Sequence, residues 1–202
     1  MIKVLVVVTG VASANTYVLY NDKKEAILID PSANDGEIEK ALCQHGLTCK
    51  AVLLTHAHVD HCNGVKYFAE KGATVYIHRD DVTLLSAQTS LATMFGEQYN
   101  SFAPDVFVSD GDKIDLIGES VFVIHTPGHT PGSVCYLIDK KLYTGDTLFY
   151  MSIGRTDFPG GDYTALVNSI NKLYSLNENY VVMPGHGPET TIFFERENNP
   201  YV

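Results

Sequence analysis

Thr55-His56-Ala57-His58-Val59-Asp60-His61 follows the apolar run 51–54 and precedes a helix-like stretch, residues 62–71. Three histidines and a carboxylate fall within six residues at the exit of a strand, which makes the segment a polydentate ligand loop. Imidazole suits zinc and iron, and a carboxylate suits a hard or borderline divalent ion. Mixed N and O donors without a thiolate therefore favour a catalytic transition-metal centre. A polar turn with surface histidines is the alternative reading of any lone His-x-His pair. The rest of the chain weighs against it.

Further ligand-type residues lie downstream in the same setting, an apolar run and then a glycine-bearing turn. Residues 121–124 lead to His125-Thr126-Pro127-Gly128-His129-Thr130-Pro131-Gly132-Ser133. Leu142-Tyr143-Thr144-Gly145-Asp146-Thr147 follows, and residues 180–183 lead to Pro184-Gly185-His186-Gly187-Pro188. Functional groups of α/β folds gather where strands end, so these four exits are expected to converge. Together they supply seven donors. That is too many for one tetrahedral ion and suits two metals about 3.5 to 4 Å apart, bridged by a carboxylate oxygen and a hydroxide.

His-x-His-x-Asp-His, then His, Asp and His in that order, resembles the metallo-β-lactamase superfamily of hydrolases. Gly154-Arg155-Thr156-Asp157, Pro184-Gly185-His186-Gly187-Pro188-Glu189-Thr190-Thr191 and the ending Asn199-Pro200 resemble its short glyoxalase II-like (hydroxyacylglutathione hydrolase-like) members. The resemblance covers nearly the whole chain. It implies a four-layered αββα sandwich in a single domain over residues 1–202, where periodicity alone says only α/β. Position by position, it implies that His56, His58 and His129 bind a first metal, that Asp60, His61 and His186 bind a second, and that Asp146 bridges them. The cofactor implied is two divalent metal ions, zinc first, with iron or manganese as alternatives. His125 lies outside the family's ligand position and reads as structural. Partners for the other ring nitrogens are required, but the sequence does not locate them. Asp30 is either such a partner or a turn residue before Pro31.

The activity implied is hydrolysis of small-molecule thioesters of the S-D-lactoylglutathione type. A metal-bound water, its pKa lowered from 15.7 toward about 7, supplies hydroxide, and the metals polarise the carbonyl and receive the departing thiolate. Asp60 is the candidate catalytic carboxylate, as a ligand that also orients the nucleophile or shuttles its proton. Arg155 either pairs with a substrate carboxylate or forms a local ion pair with Asp157, and Tyr150 and Phe158 are expected along the approach. Two-domain glyoxalase II enzymes carry a C-terminal helical domain that contacts glutathione. This sequence ends at Val202, so the expectation is a chain without it, which opens the identity of the thiol carrier. The competing resemblance is a persulfide dioxygenase with one iron on His56, His129 and Asp146. A β-lactamase is disfavoured because Asp146 stands where many secreted zinc lactamases carry a cysteine. A scaffold that kept only the fold is disfavoured because every ligand position is filled.

Composition sets the outer bounds. The 202 residues can bury roughly two-thirds of their unfolded surface. A hydrophobic share of 45% against 19% charged is ordinary for a globular protein, and the 16 glycines are spread among turns. The formal net charge of -10 argues against a nucleic-acid partner, which needs clustered Lys and Arg. Residues 4–8 are too short for a signal-peptide core or a membrane span, so no membrane partner is expected and a cytoplasmic location is the default. Cys43, Cys49, Cys62 and Cys135 lack Cys-x-x-Cys spacing and read as reduced, buried thiols.

In order along the chain, residues 4–8 read as a strand, 15–20 and 26–30 as a hairpin, and Asn34 with Glu37 as a capping-box start to a helix ending at Gly46. Residues 74–78 read as a strand in which His78 is structural. Residues 80–100 read as weakly helical, with Met94, Phe95, Tyr99 and Phe102 as cover for the site or as ordinary packing. Hairpins are expected through Gly118-Glu119 and Asp139-Lys140, and a helix from Asp162 with Leu166, Ile170, Leu173 and Tyr174 on one face.

Overall fold

Alternation of side chains along a strand lets each strand of a covered sheet feed two cores, and here it builds the layers. The structure, a computed structural model, describes residues 2–86 and 88–202. One sheet runs β1 (Lys3–Thr9), β2 (Ala14–Tyr20), β3 (Glu25–Ile29), β4 (Thr48–Leu53), β5 (Thr74–His78) and β6 (Val106–Val108), in that spatial order. The other is ordered β14 (Thr190–Thr191), β13 (Val181–Pro184), β10 (Lys141–Gly145), β9 (Val134–Ile138), β8 (Glu119–His125) and β7 (Lys113–Leu116). A short ribbon pairs β11 (Leu148–Phe149) with β12 (Ser152–Ile153). The helices are α1 (Glu37–His45), α2 (Val59–Cys62), α3 (Val65–Glu70), α4 (Ala92–Phe95), α5 (Tyr163–Tyr174) and α6 (Ile192–Asn198). Both sheets are mixed: β3, β4, β5 and β6 run parallel, as do β10 and β13, while the remaining pairs are antiparallel.

Leu19, Ile27, Ile29 and Leu53 of the first sheet meet Val121, Tyr136, Tyr143 and Met183 of the second in a core between the sheets. The alternate residues Val18, Leu28 and Val52 face outward under Ile38 and Leu42 of α1 and Val65 and Phe68 of α3. Cys135, Leu142 and Val182 do the same under α5 and α6, through Leu166, Ile170 and Ile192. Helix, sheet, sheet and helix thus form four layers, the αββα sandwich expected from the resemblance. No helix among the described residues is long and apolar enough to cross a membrane.

Local chemistry departs from expectation in several places. The capping box is absent: Gly36 takes the N-cap of α1 at φ 87, and Asp35 Oδ1 accepts from Glu37 N at 3.1 Å, so Asn34 lies too far upstream. The helix expected over 62–71 starts earlier, at Val59, and breaks at Asn63-Gly64. There Gly64 N donates to Pro31 O at 2.9 Å, and a side chain on Gly64 would collide with the carbonyls of Pro31 and Ala33. Residues 80–100 form a 3-10 turn, Arg79–Leu84, and the single turn α4, not one helix; Ala87 lies outside the described residues. Ser86 Oγ pairs with Thr89 Oγ1 at 2.6 Å and takes Thr89 N at 3.2 Å, side-chain bonds that compete with a helical ladder. One hairpin turns through Ile117-Gly118, at φ 50 and 88, a residue earlier than expected. Cys62 and Cys135 are buried and Cys49 half-buried, but Cys43 is exposed; all four are free thiols.

Gly64→Ala should destabilise the fold by about 1 to 3 kcal/mol, because backbone must shift to admit the methyl. Urea unfolding of the two proteins measures it, and an unchanged midpoint would contradict the close packing of α3 on the 31–33 turn.

Candidate metal centre

The four strand exits do converge. The end of β4 delivers His56 and His58, and His58 is the N-cap of α2, which carries Asp60 and His61. The loop between β8 and β9 delivers His129, the end of β10 delivers Asp146, and the end of β13 delivers His186. His58 Nδ1 lies 2.9 Å from His129 Nε2, and the rings of His56, His58 and His129 stand 4.7 to 4.8 Å apart, nearly perpendicular. Beside this triad, Asp60 Oδ2 is 3.4 Å from His186 Nε2, which is 3.3 Å from His61 Nε2. Asp146 touches both groups with different oxygens: Oδ2 is 3.5 Å from His129 Nε2 and Oδ1 is 3.3 Å from His61 Nε2. His186 is half-buried, and the other five histidines and aspartates outside Asp146 are buried.

These residues fit divalent metals on their own geometry. Buried polar atoms are almost always hydrogen-bonded, yet His56 Nε2 is buried with no hydrogen-bond partner. Two imidazole nitrogens on one tetrahedral zinc at about 2.0 to 2.1 Å stand about 3.3 Å apart, close to the separations found here. His56, His58 and His129 form one such group, and Asp60, His61 and His186 another.

Hydrogen bonds behind the rings set the tautomers. His129 Nδ1 donates to the Arg155 carbonyl at 2.8 Å, which turns Nε2 inward. Asp30, left open between two readings by the sequence, takes the supporting role. Its carboxylate accepts from His61 Nδ1 at 3.0 Å, from Thr55 N at 2.7 Å and from Thr55 Oγ1 at 2.6 Å. Thr55 Oγ1 in turn accepts from His56 Nδ1 at 3.0 Å. The signal for Asp30 was in the strand order: β3 and β4 are parallel neighbours with Ile29 opposite Leu53, so the residues that follow them emerge side by side. Arg155 left no such signal, since its contribution is a backbone carbonyl.

The electrostatics divide the centre. Burial, and then the neighbouring His129, push His58 down to about 3. Burial also pushes His56 and His129 down, leaving neutral imidazoles at the first group. Burial would do the same to His61, but Asp146 and Asp60 outweigh it and hold its pKa well above the usual histidine range. Asp146 is held well below the carboxylate range by His61, against the effect of its burial. Without metal, a proton on His61 supplies the positive charge that the acidic side of the centre requires.

A cavity of about 400 Å³ opens over these residues, walled by Leu91, Phe95, Phe149, Ile153, Arg155 and Phe158. Phe158 and Arg155 thus lie where the sequence put them. Arg155 is nonetheless paired to Asp157 by two hydrogen bonds of 2.7 Å, and its guanidinium sits 3.8 Å from the Phe158 ring centre. Tyr150 does not line this cavity: it lies in the turn after β11 and stacks on Phe194 at 5.6 Å in a separate cleft, whereas Phe149, the last residue of β11, lines the cavity. Of the four residues considered as cover, Phe95 reaches the cavity, Met94 is exposed, and Tyr99 and Phe102 pack on the outer core. His125 Nε2 donates to Pro131 O at 3.0 Å, and the ring stacks on His78 at 4.1 Å, away from the centre.

The metallo-β-lactamase superfamily profile matches residues 9–186. The chain belongs to that superfamily. It is 35% identical to hydroxyacylglutathione hydrolase GloC of Haemophilus influenzae, over 93% of this chain and 92% of that one. The fold is similar to the crystal structure of BLEG-1 B3 metallo-β-lactamase, with a TM-score of 0.91, 39% identity and coverage of 100% and 99%. It is also similar to TTHA1623 in a di-iron-bound form, with a TM-score of 0.88, 34% identity and coverage of 98% and 100%. ETHE1 from Myxococcus xanthus follows at a TM-score of 0.82 and 27% identity, over 98% of this chain and 83% of that one. Metallo-β-lactamase superfamily proteins bind divalent metals, and the His and Asp clusters supply the donors for them here. The di-iron relative leaves the identity of the ion open.

Loading the metal-free protein at pH 7.5 should release about one proton or more per chain, since a cation must displace the proton on His61. Calorimetric titration in two buffers of different ionisation enthalpy reads this directly. Identical heats in both would show that His61 carries no proton.

Proposed function

We propose that this metallo-β-lactamase superfamily chain is a metal-dependent hydrolase of small-molecule thioesters, of the hydroxyacylglutathione (S-D-lactoylglutathione) type, working at a dinuclear site with zinc as the first-choice ion. The observation that carries the reading is Asp146, whose two oxygens face two separate His-containing triads beneath one cavity. The 35% identity to GloC of Haemophilus influenzae supports the substrate class.

In this reading His56, His58 and His129 hold one ion, Asp60, His61 and His186 hold the other, and Asp146 spans them. The ions, when bound, supply a water of lowered pKa and a Lewis acid for the carbonyl and the departing sulfur. The protein's own groups do the rest. The Asp60 carboxyl is held low by His61 and His186 against its burial, so it is ionised at neutral pH and available to accept a hydrogen bond from the attacking water. Phe158, edge-on to His58 with ring centres 5.8 Å apart, and Phe95 and Leu91 exclude bulk solvent from the acyl group. Arg155 is the cation of the cavity wall and receives a substrate carboxylate. Releasing it from Asp157 costs little, because both side chains are exposed and solvent screens the pair.

The second reading is a persulfide dioxygenase with one iron. His56, His129 and Asp146 form a two-histidine, one-carboxylate set suited to non-haem iron, and the ETHE1 likeness favours it. Metal analysis of protein purified without added metal, beside S-D-lactoylglutathione hydrolysis, separates the two. The hydrolase requires about two ions per chain and thioester turnover. About one iron, no thioester turnover and oxygen uptake with glutathione persulfide would sink it.

Asp60→Ala should lower kcat by roughly 100-fold or more. Turnover measured at matched metal content is the check, and full activity with both ions retained would remove Asp60 from the mechanism.

A further inference from the structure

The first triad is assembled from two sheets. His56 and His58 follow β4, whereas His129 lies on the loop between β8 and β9 of the opposite sheet. Something must hold these two loops at one separation, and the fully buried Asp81, in the 3-10 turn after β5, touches both. Its Oδ2 accepts from Ala57 N, the amide between His56 and His58, at 2.9 Å. The same oxygen accepts from Thr130 Oγ1, next to His129, at 2.9 Å. Its Oδ1 accepts from Gly132 N at 2.6 Å. Gly132 leaves no room for error: a side chain there would press on Asp81 N, Cγ and Oδ1.

A buried carboxylate is costly unless hydrogen-bonded, and these donors are its compensation. Burial pushes the Asp81 carboxyl up to about 6, against the pull of Thr130, Gly132 and Ala57. That cost serves no ion pair, since Asp81 forms none among the described residues. Nor does Asp81 line the metal cavity. Among the described residues, its side-chain hydrogen bonds all end on the two loops.

We propose that Asp81 is a positioning residue for the first metal site: it clamps the His56–His58 loop to the His129 loop at the spacing one ion needs, without touching metal or substrate. The proposal rests on the reading of His56, His58 and His129 as ligands of one ion. The second triad is outside its reach, because Asp60 and His61 are carried by α2 and supported by Asp30. Asp81 therefore controls one site and spares the other.

The test is competitive metal titration of the metal-free full chain, comparing wild type with Asp81→Asn and Gly132→Ala, which disturbs the same clamp from the other side. Each variant should bind the first ion about 10- to 100-fold more weakly while holding the second as wild type does. Cobalt substitution should show the loss of one set of absorption bands only. Ile138→Val, a core change at the end of β9 remote from the His129 loop, serves as the control for general destabilisation and should keep both ions. Two ions held with wild-type affinity by the clamp variants would overturn the proposal. So would parallel loss of both ions, or a Gly132→Ala chain whose metal-free form unfolds, since each would assign Asp81 to the fold alone. His129→Ala in the same series must lose the first ion; if it keeps both, the ligand reading fails and the proposal falls with it.

Discussion

The hydrogen bonds of Asp30 are the constraint on which the centre depends. One carboxylate, buried at the end of β3, accepts the Thr55 amide, the Thr55 hydroxyl and the His61 ring. Thr55 passes the effect to His56. A single anion thereby fixes where the ligand loop leaves its sheet, which nitrogen of His61 faces the cavity and which nitrogen of His56 does. Its own backbone is bent to do this, with φ of 51 at a non-glycine residue. A left-handed residue of this kind persists only where its surroundings over-determine it. Here the same residue's carbonyl also accepts from Thr16 Oγ1 at 2.7 Å, tying the turn back to β2.

Charge explains why so many polar groups tolerate burial together. The first triad is buried and neutral, the second carries Asp60 and Asp146, and the proton on His61 partly balances them. Two dications would take that proton's place and satisfy His56 Nε2, which is buried without a hydrogen-bond partner. The walls above are apolar, so electrostatic interactions inside the cavity act at a lower effective dielectric than in water. Preorganised charge under a dry wall is what a hydrolytic centre requires.

The superfamily frame does not choose the substrate. Relatives with the same layers are described as a hydroxyacylglutathione hydrolase, a B3 metallo-β-lactamase and ETHE1. Function resides in the site that the fold carries, and in this chain the wall above the centre is built by Leu91, Phe95, Phe149, Ile153, Arg155 and Phe158. Arg155 links the two levels: its carbonyl orients His129 while its side chain faces the space a substrate would occupy.

The sequence by itself determined the candidate donor set and, through the family resemblance, the layers. His-x-His-x-Asp-His is local, its spacing survives any packing, and each remaining donor follows an apolar run and a glycine-bearing turn that mark a strand end. The hydrophobic alternation likewise divides Val18 and Leu28 from Leu19 and Ile29 without reference to any partner. Only the tertiary structure decided what surrounds the donors. Phe149 and Tyr150 are adjacent aromatics, but Phe149 ends β11 over the cavity while Tyr150 enters the turn and stacks on Phe194. Asp81 is one acidic residue in an acidic chain until two loops from different sheets meet on it. Residues 80–100 carried a faint helical pattern, but the Ser86 hydroxyl competes with a helical ladder and Asp81 is drawn to the distant amides of Ala57 and Gly132. These outcomes rest on contacts between residues far apart in the chain, and no local pattern encodes which distant backbone group a carboxylate will meet.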